Sequence, residues 1–507
     1  MKKNDIYQIT IDDIGSEGEG IGHVAEVTGS SYDNGTDNRG VTVFVKDTVI
    51  GDVAKIKIIK LKKNYAYGRL EEIITPSLFR VEPPCKKARS CGGCSIMHMS
   101  YEKQLEYKWN KVKNCLERIG GIHGVADIME PIYGMKNPYN YRNKMQFPVG
   151  LDKEGMVRIG FYAGRTHSII DLEQCHIGHP VNDYIVAELR IWLQKWQDKT
   201  DRFIYDEETH TGLVRHILTR VGFATGELMV CLIINGSNIG KYVGDIKVED
   251  ELREAIERAV NNYNLNQAYG KKDYFKEIKL TSLSININRD KTNKILGDKC
   301  GTLYGKDFIS DYIGDIKFNI SPMSFYQVNP VQTKVLYDKA VEYAGLTGNE
   351  VVWDMYCGIG TISLCLAKKA KKVYGVEIVP QAIEDAKENA KLNEIYNTEF
   401  FCGKSEEVVP EFYRTENNSE RDNTGKHPDV IVVDPPRKGC DSVLLDTIYA
   451  MAPKKLVYVS CDPATLARDV KLLTEKGFKL EKVAVVDQFG HSGHVESCVM
   501  LTKKDEM

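Results

Sequence analysis

The stretch "VVWDMYCGIGTISLCLAKKAKKVYGVE" (351–377) decides the fold. A hydrophobic strand runs into Gly358 and Gly360, a helical pattern follows, and a second strand ends in Glu377. The two glycines let the backbone turn tightly and come close to a ligand. Nineteen residues after Gly358, the carboxylate of Glu377 can accept hydrogen bonds from both hydroxyls of a ribose. The rhythm continues in "DVIVVDPP" (429–436), "KKLVYVSCDP" (454–463) and "EKVAVVDQF" (481–489), so residues 316–507 read as a doubly wound parallel α/β sheet of Rossmann-like type.

A full dinucleotide fingerprint, G-x-G-x-x-G, would place a glycine at 363, where this chain has Ser363. A pyrophosphate is therefore disfavoured, and an adenosine-bearing ligand without phosphates fits better. S-adenosylmethionine is the leading candidate. Asp434, at the next strand end, is expected at the mouth of the same crevice, with Pro435 and Pro436 fixing an extended wall; the alternative is a turn that merely caps a strand.

In "VYVSCDPATLARD" (457–469), Cys461 follows a buried-strand pattern and precedes Asp462 and Pro463, which stop it. Open α/β sheets bind ligands beyond the carboxyl ends of their strands, so this thiol is delivered to the cofactor crevice. A thiolate beside a methyl sulfonium suggests a chemistry. The C5 carbon of uracil is a poor nucleophile, but adding sulfur at C6 makes the ring an enolate with an electron-rich C5. After methylation, a base must remove the C5 proton so that the sulfur can leave. Glu496, in "QFGHSGHVESC" (488–498), is the candidate, since a partly desolvated carboxylate has its pKa raised toward neutrality. An ordinary surface glutamate is the other reading.

At 507 residues the chain is long enough for two or three domains. Lys and Arg total 68 against 71 Asp and Glu, so the whole molecule does not announce a polyanionic partner. Locally, "KIKIIKLKK" (55–63) holds five lysines and residues 80–118 carry nine Lys/Arg against four Glu, which permits nucleic-acid binding. No secretory signal and no run of about 18 apolar residues is present, and the chain reads as a soluble cytoplasmic protein without membrane contact.

Residues 5–75 alternate apolar and polar at period two over several short segments, the pattern of a compact β-barrel. The polar stretches 29–40 and 414–427 read as a mobile hairpin tip and a disordered insertion. Prolines at 83 and 84 make an extended linker. Beyond it, Leu105, Trp109, Val112, Leu116 and Ile119 form the apolar stripe of a helix that stops at Gly120-Gly121. From about 130 to 315 the pattern is that of an antiparallel-rich α+β unit, with an exposed helix over 249–264.

Thirteen cysteines without a signal peptide point to metal or thiol chemistry rather than disulfides. Cys85, Cys91 and Cys94 stand at C-x₅-C-x₂-C, and Cys175 in "DLEQCHIGHP" (171–180) is the best fourth donor. Spacing leaves zinc and an iron–sulfur cluster level.

Taken together, "SCDPATLARD" (460–469), "DPPRKG" (434–439), "SFYQVN" (324–329), "DMYCGIGTISL" (354–364) and "HVES" (494–497) resemble the RNA uracil-5-methyltransferases. "CKKARSCGGC" (85–94) and the N-terminal module, which is similar to a TRAM RNA-binding (OB-like) barrel, place the resemblance with the branch that makes 5-methyluridine in 23S ribosomal RNA. The resemblance implies Cys461 as nucleophile and Glu496 as base, with Gln327, Tyr356, Glu377 and Asp434 as S-adenosylmethionine contacts beside the turn of Gly358 and Gly360. It implies a [4Fe–4S] cluster on Cys85, Cys91, Cys94 and Cys175, structural or RNA-organising because methyl transfer moves no electron. It also implies three units: a barrel (5–75), a central domain (76–99 with 126–315), and a helix (100–125) packed with the catalytic domain (316–507).

Gly490 stands where the family usually has proline, which loosens the loop that carries Glu496. Arg142 and Lys144, in "NYRNKMQF" (140–147), serve RNA or internal salt bridges equally well. A transfer-RNA target is the alternative within the class, though that branch usually lacks both the cysteines and the barrel. An amino-group methyltransferase fits less, since Arg437 stands where those enzymes commonly show an aromatic. A non-catalytic iron–sulfur RNA-binding or redox-sensing protein would not need the intact set of Gln327, Glu377, Asp434, Cys461 and Glu496.

Overall fold

The computed structural model describes residues 1–24, 40–164, 166–200, 202–240, 242–243, 246–270, 276–417 and 428–503. Most of the two polar stretches expected to be loose, 29–39 and 418–427, lies outside the described residues. Near the second, a helix continues to Asn417.

The N-terminal segments close into a five-stranded barrel in the order Ile6–Ile14, Gly20–Val24, Val41–Val45, Tyr65–Thr75, Val53–Leu61. Period-two alternation explains the closure, because Ile9, Ile11, Val43, Val45, Ala54, Ile56 and Ile58 all point inward. Gly68 is required by packing: a Cβ there would come within 3.0 Å of Ile56 and 3.2 Å of Val43 and Val45. Below the barrel, buried Asp52 accepts from Arg80 at 2.5 Å and from the amides of Val49 and Ser77, which ties the barrel to the segment that follows it.

The middle of the chain forms a seven-stranded sheet in the order Lys299–Gly305, Lys279–Ile287, Glu227–Ile234, Val214–Val221, Lys144–Leu151, Val157–Tyr162, Ile169–Asp171. Its pairings are antiparallel except one, Glu227–Ile234 with Lys279–Ile287, and helix Val248–Gly270 lies in that crossover. This helix, expected to be exposed over 249–264, is in fact half core. Leu252, Ala255, Ile256, Ala259 and Tyr263 recur at helical spacing, are fully buried, and share a core with Trp192 and Trp196 of helix Val181–Thr200.

The last sheet has the order Thr398–Cys402, Lys372–Glu377, Val351–Asp354, Val430–Val433, Lys455–Ser460, Glu496–Lys503, Phe478–Val486. It is parallel with one exception. The final strand inserts antiparallel between Lys455–Ser460 and Phe478–Val486, so the sheet is not the wholly parallel one the strand rhythm implied. As a result, the start of that strand comes to the edge where its parallel neighbours end, and Ser497 pairs with Ser460.

Helix Tyr101–Arg118, hereafter the linker helix, packs on helix Pro463–Glu475. Its buried residues are Gln104, Tyr107, Lys108, Val112 and Leu116. Only part of the expected apolar stripe is therefore inside, and Ile119 is exposed. Among the described residues, no helix is long and apolar enough to cross a membrane.

Candidate active site

Strand Val351–Asp354 ends in the turn that carries Tyr356, and Gly358 and Gly360 take φ of 54° and 85° there. A Cβ built on Gly358 would meet no atom within 4 Å, so the space before this turn is open. Gly360 begins helix Thr361–Ala367. Ser363, which replaces the third glycine of the dinucleotide pattern, donates its hydroxyl at 2.6 Å to Asp354 at the strand end. Burial pushes Asp354 up to about 6, a rise this bond opposes. Glu377 closes the other side of the turn: one carboxylate oxygen accepts from the Gly358 amide at 3.3 Å and the other from the Val379 amide at 3.0 Å.

Before these strand ends lies a cavity of about 900 Å³. Gln327, Tyr356, Gly358, Glu377, Asp434, Cys461 and Glu496 all border it. Gly360 does not, and contributes through the backbone turn instead. Phe325, Ile378 and Phe489 supply apolar lining and Arg142, Lys144 and Arg437 basic lining, although burial, Arg220 and Arg142 bring Lys144 down to about 7. This volume and mixed lining suit a nucleoside-sized ligand with a second group beside it.

Cys461 occupies the turn between strand Lys455–Ser460 and helix Pro463–Glu475. Asp462 caps that helix by accepting from the amides of Ala464 and Thr465 at 2.9 and 3.1 Å, which leaves the preceding residue at the strand's open end. Glu496, 3% exposed, arrives from the antiparallel final strand. Burial holds its carboxyl well above the usual range, Asp434 adds to the rise and Arg437 opposes it. Asp434 is itself pushed up to about 7 by burial and then by Asp354. The Cys461 thiol is raised to about 11, first by burial, then by Glu496 and Asp434, against Arg437. Three acidic groups thus share one desolvated space: Asp434 favours the protonated form of Glu496, and both favour the protonated thiol.

Because the reactive species is the thiolate, alkylation of Cys461 by iodoacetamide should rise about tenfold per pH unit from pH 7 toward pH 10 and level off near 11. Mass spectrometry of the peptide containing Cys461 reads this directly, and Glu496→Gln should move the midpoint down. A plateau already at pH 8 would contradict the electrostatics of the cavity.

The four cysteines singled out in the sequence are near one another. The Cys94 thiol is raised by burial, then by Cys175, Cys91 and Cys85 in turn. Backbone amides already face two of the sulfurs: those of Ile177 and Gly178 donate to Cys175, and that of Gly93 to Cys91. Even so, among the described residues no group of three or more His, Cys, Asp or Glu side chains is arranged to hold a metal ion. The closed metal cage expected of Cys85, Cys91, Cys94 and Cys175 is therefore not formed here. Burial raises the Cys91, Cys94 and Cys175 thiols, Cys175 to about 11, and a protonated thiol is not a metal ligand.

Several features went unread in the sequence. Phe489 and His494 border the cavity from the loop before Glu496, a loop too short and glycine-rich to show a pattern. Lys108 and Asp487, both fully buried, pair at 2.5 Å. The Lys sits in a helix whose hydrophobic spacing, taken alone, points its buried face elsewhere.

A family model described as tRNA (Uracil-5-)-methyltransferase matches residues 264–504, and a TRAM domain model matches residues 2–70. A protein of Clostridium tetani named "Uncharacterized RNA methyltransferase" is 46% identical over 99% of this chain and 97% of its own length. A similarly named protein of Listeria monocytogenes is 46% identical over 99% and 98%. The crystal structure of Pyrococcus abyssi tRNA (uracil-54, C5)-methyltransferase with S-adenosyl-L-homocysteine shares the fold, with a TM-score of 0.70 at 24% identity over 98% of this chain and 99% of that one. The chain belongs to the RNA uracil-5-methyltransferase family of S-adenosylmethionine-dependent enzymes, in a form that carries an N-terminal TRAM domain.

Proposed function

We propose that the protein methylates C5 of a uridine in 23S ribosomal RNA through a covalent bond between Cys461 and C6. The observation that carries this reading is the convergence of Cys461 and Glu496, from strands of opposite direction, on the cavity bordered by Glu377 and Asp434. Gln327, Tyr356, Glu377 and Asp434 would hold S-adenosylmethionine, which when bound supplies an electrophilic methyl group. Glu377, anchored by two backbone amides, suits the ribose hydroxyls.

The protein's own residues then divide the work. The target uracil leaves its stack and enters the cavity, where the phosphates beside it meet Arg142, Lys144 and Arg437. Cys461 gives its proton to solvent and its sulfur adds to C6, so that charge builds on the ring and C5 becomes nucleophilic. Once C5 carries the methyl, Glu496 as carboxylate takes the C5 proton. The C5–H electron pair forms the C5–C6 double bond, the C6–S bond breaks, and Cys461 leaves as thiolate. Both residues must ionise in a cavity that resists it, and reaction is therefore favoured as pH rises.

The ribosomal target rests on the resemblance of the four-thiol group at 85–175 and the barrel to that branch; the barrel does not by itself separate the branches, since the Pyrococcus abyssi tRNA enzyme aligns over 98% of this chain. The thiols would hold a [4Fe–4S] cluster: the donor set is all sulfur, and three amides already point at two of those sulfurs, the bonds that stabilise cluster thiolates. In this reading the barrel (5–75) and central domain (76–99, 126–315) bind RNA, and the linker helix belongs with the catalytic domain (316–507).

A strain lacking the gene should lose one or more 5-methyluridines from 23S ribosomal RNA while its transfer RNAs keep theirs, as mapped by mass spectrometry of both pools. Loss confined to transfer RNA, the substrate named in the family's description, would favour the other branch. Anaerobically purified protein should contain about four irons per chain, and protein without iron would overturn the cluster reading.

A further inference from the structure

The linker helix grips the loop before Glu496 once per turn. Tyr101 donates to Asp487 at 2.6 Å; Gln104 donates to the His491 ring at 3.2 Å and accepts from its amide at 3.0 Å. Lys108 donates to Asp487 at 2.5 Å and to the Phe489 carbonyl at 2.8 Å, and Lys111 donates to the Gly493 carbonyl at 2.8 Å. Positions 101, 104, 108 and 111 lie on one helix face, and their partners 487, 489, 491 and 493 are successive alternate points of one segment. That segment leads straight from strand Phe478–Val486 to Glu496.

This face is polar yet inside: Gln104, Lys108 and Asp487 are fully buried. Burying an ion pair gains little stability over an apolar pair, so stability alone does not explain it. The loop also contains strain, since His491 takes φ of 66°. Non-glycine residues hold such a conformation only where surrounding bonds impose it, and such sites cluster at functional positions. With Gly490 beside it, the segment has little stiffness of its own, and the helix supplies what the sequence lacks.

We propose that Lys108 is a positioning residue for Glu496: acting through Asp487 and the Phe489 carbonyl, it fixes the path of segment 487–493 so that the carboxylate meets the C5 proton. This rests on Glu496 being the base. In the same segment the Gly493 amide donates to the Ser95 hydroxyl and the His491 carbonyl accepts from the Ile96 amide, both close to Cys94 in sequence, and Lys111 also donates to the Ser16 carbonyl of the barrel at 2.7 Å. The cysteine loop and the barrel thus share this mooring.

The test follows the covalent RNA–protein adduct of purified full-length protein, timing its formation and its resolution separately, with S-adenosylmethionine binding measured alongside. Lys108→Met should leave binding and adduct formation within about twofold of wild type and slow resolution about 10²-fold, the cost of a displacement near 1 Å. Should that variant fold poorly, Lys108→Met with Asp487→Leu replaces the pair by apolar groups and leaves no unpaired buried charge; with folding checked by thermal melting, resolution should still be slow. Glu496→Gln is the reference and must itself slow resolution. If it does not, the base reading fails and Lys108 has nothing to position. If Glu496→Gln is slow but the folded Lys108 variants resolve adduct at the wild-type rate, the proposal is overturned. Equal loss of binding, formation and resolution in both Lys108 variants would also overturn it, as the mark of a scaffold role only.

Discussion

Replacing Cys461 with alanine is expected to abolish methyl transfer to RNA, a fall on the order of 10⁴-fold or more, while S-adenosylmethionine binds as before. The two results separate because the thiol lies at one strand end and the Gly358 turn with Glu377 at others. The denaturation-resistant RNA–protein complex should vanish with the activity. Among the described residues, one other cysteine borders the cavity. It is Cys357, which is 3% exposed against the half-buried Cys461, and burial pushes its thiol well above the ordinary value. A Cys461→Ala enzyme that still transfers labelled methyl would rule out covalent catalysis by this residue.

Glu496→Gln should have the second largest effect, of a different kind. Addition of sulfur to C6 and methylation at C5 do not need the carboxylate, whereas removal of the C5 proton does. The variant should therefore methylate RNA once and stay attached to it, with turnover reduced about 10²–10⁴-fold, the range for losing a general base. RNA carrying tritium at C5 makes the point measurable: release of tritium to water should drop with turnover while the methylated adduct accumulates. Glutamine also removes a buried acid next to Cys461, so adduct formation itself should start at lower pH. Rapid tritium release from this variant would assign the base elsewhere.

Much of this was legible because it is local. The barrel announces itself in alternating residues, and the strand, glycine turn and spaced acid at 351–377 need only neighbours in sequence to take shape. Cys461 could be placed because a strand stopped by Asp462 and Pro463 has one open end. Helix Val248–Gly270 was misjudged where many charges hid a complete apolar stripe. The linker helix was misjudged for the opposite reason: the spacing of Leu105, Trp109 and Ile119 suggested one buried face, but Gln104 and Lys108 lie inside because partners from the far end of the chain satisfy them. Nothing near Lys108 in sequence reveals Asp487.

By itself, the sequence determined the kinds of element and the chemistry they could carry: a glycine turn for an adenosine, a thiol at a strand end, a carboxylate before a final strand. Only the tertiary structure decided that this final strand runs antiparallel between two parallel ones, which brings Glu496 to the edge where Cys461 already stands. Strand order and direction are settled by pairings between distant segments, whose free energy depends on partners rather than on local residues, so no periodicity records them.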